Sequence, residues 1–117
     1  MNPVTIYHNP KCSTSRKALD LLRERGIEPT VVEYLKHPPS VAELKALAKA
    51  TGQPLRALLR TKQAEYLEQG LDDAGVSDDQ LAAAMHATPV LIERPIVVTP
   101  KGARLGRPLE QILDVLG

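Results

Sequence analysis

The residues best suited to chemistry lie close together near the start of the chain, in Tyr7-His8-Asn9-Pro10-Lys11-Cys12-Ser13-Thr14-Ser15-Arg16. Cys12 is the only cysteine. A thiolate is the nucleophile that a lone cysteine can offer, and a thiol with an ordinary pKa of about 8.5 is only about 3% ionised at neutral pH. Bringing that pKa down to about 6.5 takes about 2.7 kcal/mol of preference for the anion. A helix N-terminus contributes roughly 0.3–1 kcal/mol of it. The remainder is expected from hydroxyl donors at Ser13, Thr14 and Ser15 and from positive charge at Lys11, Arg16 or a protonated His8. The competing reading is that Cys12 is a small buried hydrophobe and that His8 satisfies a local backbone group.

For the thiol to sit at a helix start, the flanking elements must hand over there. The β-branched run Val4-Thr5-Ile6-Tyr7 predicts a strand, Asn9-Pro10 a turn, and the stripe Ala18, Leu19, Leu21, Leu22 a helix from Ser13 to about Arg25, with Gly26 just past its end. Thr30 to Leu35 predicts a second strand, so the first third of the chain is a β-α-β unit with a parallel strand pair.

His37-Pro38-Pro39 breaks the chain. Ser40 with Glu43 and Ser77 with Gln80 are capping boxes, opening one helix to Thr51-Gly52 and another that ends at Pro89. Between them lie a short helix from Leu55 to Leu59 and a less regular stretch from Thr61 to Val76. Pro95 to Thr99 and Ala103 to Leu105 predict a hairpin turning at Pro100-Lys101-Gly102, and a last helix has Leu109, Ile112, Leu113 and Leu116 inward. The expected fold is α/β: one domain over residues 1–117, thioredoxin-like, β-α-β plus β-β-α around a mixed sheet, with residues 36–90 as a helical insertion. That architecture keeps a reactive cysteine where Cys12 stands. Its usual signal is Cys-x-x-Cys, and Ser15 occupies the second position, so a resolving thiol must come from elsewhere.

Composition narrows the function classes. Fifteen basic and fourteen acidic residues give a formal charge of +1, and three tyrosines with neither phenylalanine nor tryptophan offer no stacking platform, so nucleic acid is not an expected partner. No apolar run approaches membrane-spanning length, and one cysteine makes neither an internal disulfide nor a multi-cysteine zinc site. The expectations are a cytoplasmic protein with no membrane association and no metal.

Of eight arginines, Arg23, Arg25 and Arg56 read as solvated helix faces. Arg60, Arg94 and Arg107 end elements or lie in loops, and Arg94 and Arg107 each precede a proline. Planar, permanently charged forks on stiff loops suit a tetrahedral oxyanion; capping carbonyls or pairing with Glu93 and Glu110 is the alternative.

These residues together, Tyr7 to Arg16, Arg60, Arg94-Pro95-Ile96-Val97-Val98-Thr99-Pro100 and Arg107-Pro108, make the sequence resemble the glutaredoxin-linked arsenate reductase family over nearly its whole length. The resemblance implies that Cys12 is the nucleophile, that Arg60, Arg94 and Arg107 hold the oxyanion with Ser15 beside it, that His8 helps depress the thiol pKa, and that the Arg94-Pro95 bond is cis. It further implies arsenate as substrate, glutathione as co-substrate rather than bound cofactor, and glutaredoxin as partner. Ser13 stands where family members usually carry glycine. A redox-responsive regulator that binds RNA polymerase and another glutathione-dependent thiol enzyme are the alternatives; the former typically carries the second cysteine that Ser15 replaces.

Overall fold

The structure, a computed structural model, describes residues 3–116. Its described residues fall into two compact units, one formed by residues up to His37 together with those from Arg94 onward, the other by Pro38–Glu93.

The first unit is built on a four-stranded mixed sheet in the order β2-β1-β3-β4. Strand β1, Thr5–His8, pairs in parallel with β2, Thr30–Glu33, and antiparallel with β3, Ile96–Thr99, which forms the expected hairpin with β4, Gly102–Leu105. Helix α1, Ser13–Glu24, is the β1-to-β2 crossover. Gly26, at a φ of 77°, lets the chain leave α1 in the left-handed conformation that other residues disfavour. Val4 and Ile6 point to one face of the sheet, as alternation requires, and Val97 stands in register with Ile6. Ala18 and Leu22, four apart on α1, close over them with Ile112 to form the core. Replacing a fully buried leucine such as Leu22 by alanine costs about 2–5 kcal/mol.

The thioredoxin-like α/β architecture is thus the one the sequence leads one to expect, with three local differences. Strand β2 ends at Glu33 rather than Leu35, because Lys36 and His37 both donate their N–H to the Glu33 carbonyl and turn the chain towards Pro38. The last helix, Leu109–Val115, is a 3-10 helix. Its period of three puts Ile112 and Val115 inward and leaves Leu113 exposed, where an α-helical period of 3.6 predicts Leu113 inward; Leu109 and Leu116 pack against the core as expected. The third difference lies in the second unit.

There, α2, Val41–Thr51, packs on a later helix, Asp78–Ala87, and each opens with its predicted capping box. Leu44 and Leu47 from the first and Leu81 and Met85 from the second are buried. The stretch expected to be irregular contains a short helix, Ala64–Glu68. It becomes α3 in chain order and Asp78–Ala87 becomes α4. Arg56, read from the sequence as solvated, braces this region: its guanidinium donates to the Tyr66 hydroxyl at 3.1 Å, to the Leu71 carbonyl at 2.6 Å and to the Asp73 carbonyl. Leu59 bridges to Ile92, and the Arg60 N–H donates to the Leu91 carbonyl at 2.8 Å. No described helix is long and apolar enough to cross a membrane.

Candidate active site

Cys12 is the N-cap of α1, with extended backbone (φ −95°, ψ 122°) and a partly exposed side chain. Its N–H donates to the Asn9 carbonyl at 3.0 Å and its own carbonyl accepts the Arg16 N–H, so the sulfur is held at the mouth of the helix by backbone bonds on both sides. Capping positions offer a side chain the free N–H groups of the second and third helical residues. Here those residues are Thr14 and Ser15. Partial burial pushes the thiol pKa up, but the Ser15 N–H, the Arg94 charge, the Thr14 N–H and the Arg107 charge together outweigh it, and the net position is below the ordinary thiol value. The groups favouring the anion are therefore nearby backbone N–H groups, which make no capping hydrogen bond to the Cys12 side chain, rather than the hydroxyls expected from the sequence, and the cations are Arg94 and Arg107 rather than Lys11 or Arg16. Arg16 instead donates to the Pro10 carbonyl at 2.8 Å.

Arg107 reaches the sulfur directly. Its Nη2 is 3.5 Å from Cys12 Sγ while its Nε donates to the Arg94 carbonyl at 2.8 Å. Two features bring these residues together. In the β1–β3 register Tyr7 faces Ile96, so the segment leaving β1 and the segment entering β3 emerge at one end of the sheet. Gly106 then lets the chain after β4 pass close over Pro95: its N–H donates to the Pro95 carbonyl at 2.9 Å, and a Cβ there would stand 2.8 Å from Pro95 Cγ. The Arg94-Pro95 bond is cis, as the resemblance implies; the Arg107-Pro108 bond is cis as well, which nothing in the sequence signals.

His8 is buried at the end of β1, with Nδ1 2.6 Å from Ser15 Oγ, and Ser15 is completely buried. The same Oγ accepts the Asn9 N–H at 3.0 Å. Burial lowers the His8 pKa, Glu33 acts in the raising direction, and Arg23 and Arg16 add to the lowering, so the ring is neutral at neutral pH. Oγ accepts from Asn9 and still has a second lone pair and its own proton, so which partner donates across the His8–Ser15 contact depends on the imidazole tautomer. A protonated His8 is thus not the source of positive charge at Cys12. The imidazole instead meets Ser15, whose N–H favours the thiolate.

Ser13 is exposed in the first turn of α1, and no described non-glycine residue has a positive φ, so serine at this position carries no left-handed strain. Arg60 belongs to the second unit. Among the described residues no group of three or more His, Cys, Asp or Glu side chains is arranged to hold a metal ion.

The ArsC family model matches residues 7–115. An arsenate reductase of Rhizobium meliloti strain 1021 is 55% identical over 113 residues, 97% of this chain and 81% of the relative. The chain belongs to the ArsC family. An arsenate reductase from Vibrio cholerae, 52% identical, superimposes with a TM-score of 0.95 over 98% of both chains. The family resemblance also extends to the uncharacterized protein YfgD of Escherichia coli K12, 49% identical over 97% of each chain. ArsC relatives thus span both the sheet unit and the helical unit of this chain.

Proposed function

We propose that this chain is an arsenate reductase that converts arsenate to arsenite through Cys12, with glutathione and glutaredoxin supplying the electrons in the cytoplasm. The observation that carries this reading is the contact between Arg107 Nη2 and Cys12 Sγ, in which a nucleophilic sulfur and a fork for oxyanion oxygens share one place. The thiolate attacks arsenic and displaces water, while Arg94 and Arg107 balance the charge on the remaining oxygens. Glutathione attacks the adduct, and glutaredoxin supplies the second thiol. Arsenic gains two electrons and leaves as arsenite, the two external thiols leave as a mixed disulfide, and Cys12 returns as thiolate. A chain with one cysteine needs both external thiols.

Family membership supports including Arg60 in the oxyanion-binding set, and His8 is read as acting on Cys12 by way of Ser15. The two units are read as one thioredoxin-like domain carrying residues 36–90 as its insertion. Arsenate-dependent NADPH consumption, coupled through glutathione reductase with glutathione and glutaredoxin present, tests the proposal. The expected result is turnover that Cys12→Ser abolishes and that Arg60→Ala, Arg94→Ala and Arg107→Ala each lower by about 10²–10³, the range for loss of one oxyanion donor. Absence of turnover from the folded wild-type chain overturns it.

A further inference from the structure

Beside the thiol lies an open recess in the sheet unit, lined by Thr14 and Lys17 of α1 and by Arg107, Leu109 and Glu110 of the chain that follows β4. Two of its walls are shared with the site: the Thr14 N–H favours the Cys12 thiolate, and Arg107 Nη2 is 3.5 Å from the sulfur. Thr14 and Lys17 are three apart and share a face of α1. Lys17 and Glu110 are exposed, and among the described residues neither forms an ion pair or side-chain hydrogen bond.

We infer that this recess is the glutathione subsite, an inference that rests on the proposed function and deepens it. Lys17 and Arg107 bring two positive charges and Glu110 one negative charge. Glutathione at neutral pH carries the complementary set, two carboxylates and one ammonium. Lys17 takes a carboxylate, Glu110 takes the γ-glutamyl ammonium, and the partly buried Leu109 lies against the methylene groups. The thiol then sits at the wall formed by Thr14 and Arg107, next to Cys12, which is where the adduct forms. The several donors of the Arg107 fork serve the adduct oxygens and the second carboxylate together. A small neutral thiol has none of the charges that Lys17 and Glu110 recognise, so these residues set the preference among thiols rather than the reactivity of Cys12.

Titration of isotope-labelled protein with S-methylglutathione, which binds but cannot react, tests this without turnover. Saturable amide shifts are expected at Thr14, Lys17, Leu109 and Glu110. Lys17→Glu and Glu110→Gln should each weaken binding by about three- to fivefold, the scale of an exposed ion pair. Glu110→Gln should have no such effect on the N-acetylated analogue, which lacks the ammonium. In turnover, Lys17→Glu should reduce the efficiency of glutathione relative to 2-mercaptoethanol by a similar factor.

Shifts confined to another surface, or affinities that both substitutions leave unchanged, overturn the subsite. Binding in the recess by a chain that does not reduce arsenate overturns the proposed substrate and leaves the subsite standing. Turnover with no saturable binding at the recess does the reverse.

Discussion

The guanidinium of Arg107 bridges the Cys12 sulfur, 3.5 Å from Nη2, and the Arg94 carbonyl, 2.8 Å from Nε. A lysine keeps the charge but has no second fixed nitrogen to hold the bridge. Arg107→Lys should therefore lower turnover by about 10²-fold or more, the scale set by loss of one oriented donor. Arg107→Ala should in addition raise the pKa that governs alkylation of Cys12 by iodoacetamide. Unchanged alkylation in the alanine variant would remove Arg107 from the activation of the thiol.

Ser15 Oγ serves two neighbours at once, the N–H of the half-buried Asn9 and Nδ1 of the buried His8. Ser15→Ala should destabilise the fold by about 1–3 kcal/mol through the unsatisfied groups it leaves, measured by urea unfolding. Because His8 is neutral, the alkylation rate of the wild-type chain should rise with pH through one inflection, that of the thiol. A second inflection at lower pH, abolished by His8→Ala, would show that a charged imidazole acts on the sulfur after all.

The depressed Cys12 pKa fixes the sign of a pH effect on stability. The unfolded chain keeps the thiol proton up to about pH 8.5, while the folded chain releases it earlier, so folding gains stability as pH rises between the two values. That contribution is fully present above the unfolded pKa and is lost as pH falls through the folded one. The unfolding free energy of wild type minus that of Cys12→Ser should rise with pH across this window and be flat on either side. A difference that falls with pH would mean that folding raises the thiol pKa instead of lowering it.

Gly106 passes over Pro95 too closely for a side chain. Gly106→Ala must push the segment carrying Arg107 away from Arg94, at an overpacking cost of about 1–3 kcal/mol. Turnover should fall more than stability alone explains, and the Cys12 alkylation pKa should move up towards that of Arg107→Ala. Full activity in a folded Gly106→Ala chain would mean that the loop relaxes without moving the arginine.

Arg56 braces the helical unit through Tyr66, Leu71 and Asp73. Arg56→Met keeps the aliphatic bulk and removes the donors. It should cost about 1.5–3 kcal/mol, as charged hydrogen bonds do, and should speed amide exchange in residues 64–76 before the rest of the unit. Uniform exchange would show that the brace is not local.

What could be read in the sequence was whatever local chemistry decides. Ser40 with Glu43 and Ser77 with Gln80 announce their helices because a capping box is complete within four residues, and Gly26 marks the end of α1 by its own backbone freedom. Cys12 falls at the strand-to-helix handover for the same reason. The features that escaped depend on contacts distant in sequence. Helix α3 is held by an arginine ten or more residues away, and residues 109–115 take a 3-10 period that an apolar pattern of leucines and isoleucine reads equally well as α-helical. Ser15 shows the limit most clearly: its hydroxyl looks like a thiol donor, and the fold instead buries it against His8, where it also accepts the Asn9 N–H.

The antiparallel pairing of β1 and β3 has a practical consequence for anyone wishing to tag this chain. Lys101, exposed at the hairpin tip, lies at the end of the sheet where β1 begins, one strand length of roughly 13 Å from the end where β1 delivers Cys12. A fluorophore on that lysine would report unfolding while leaving the surroundings of Cys12 unobstructed.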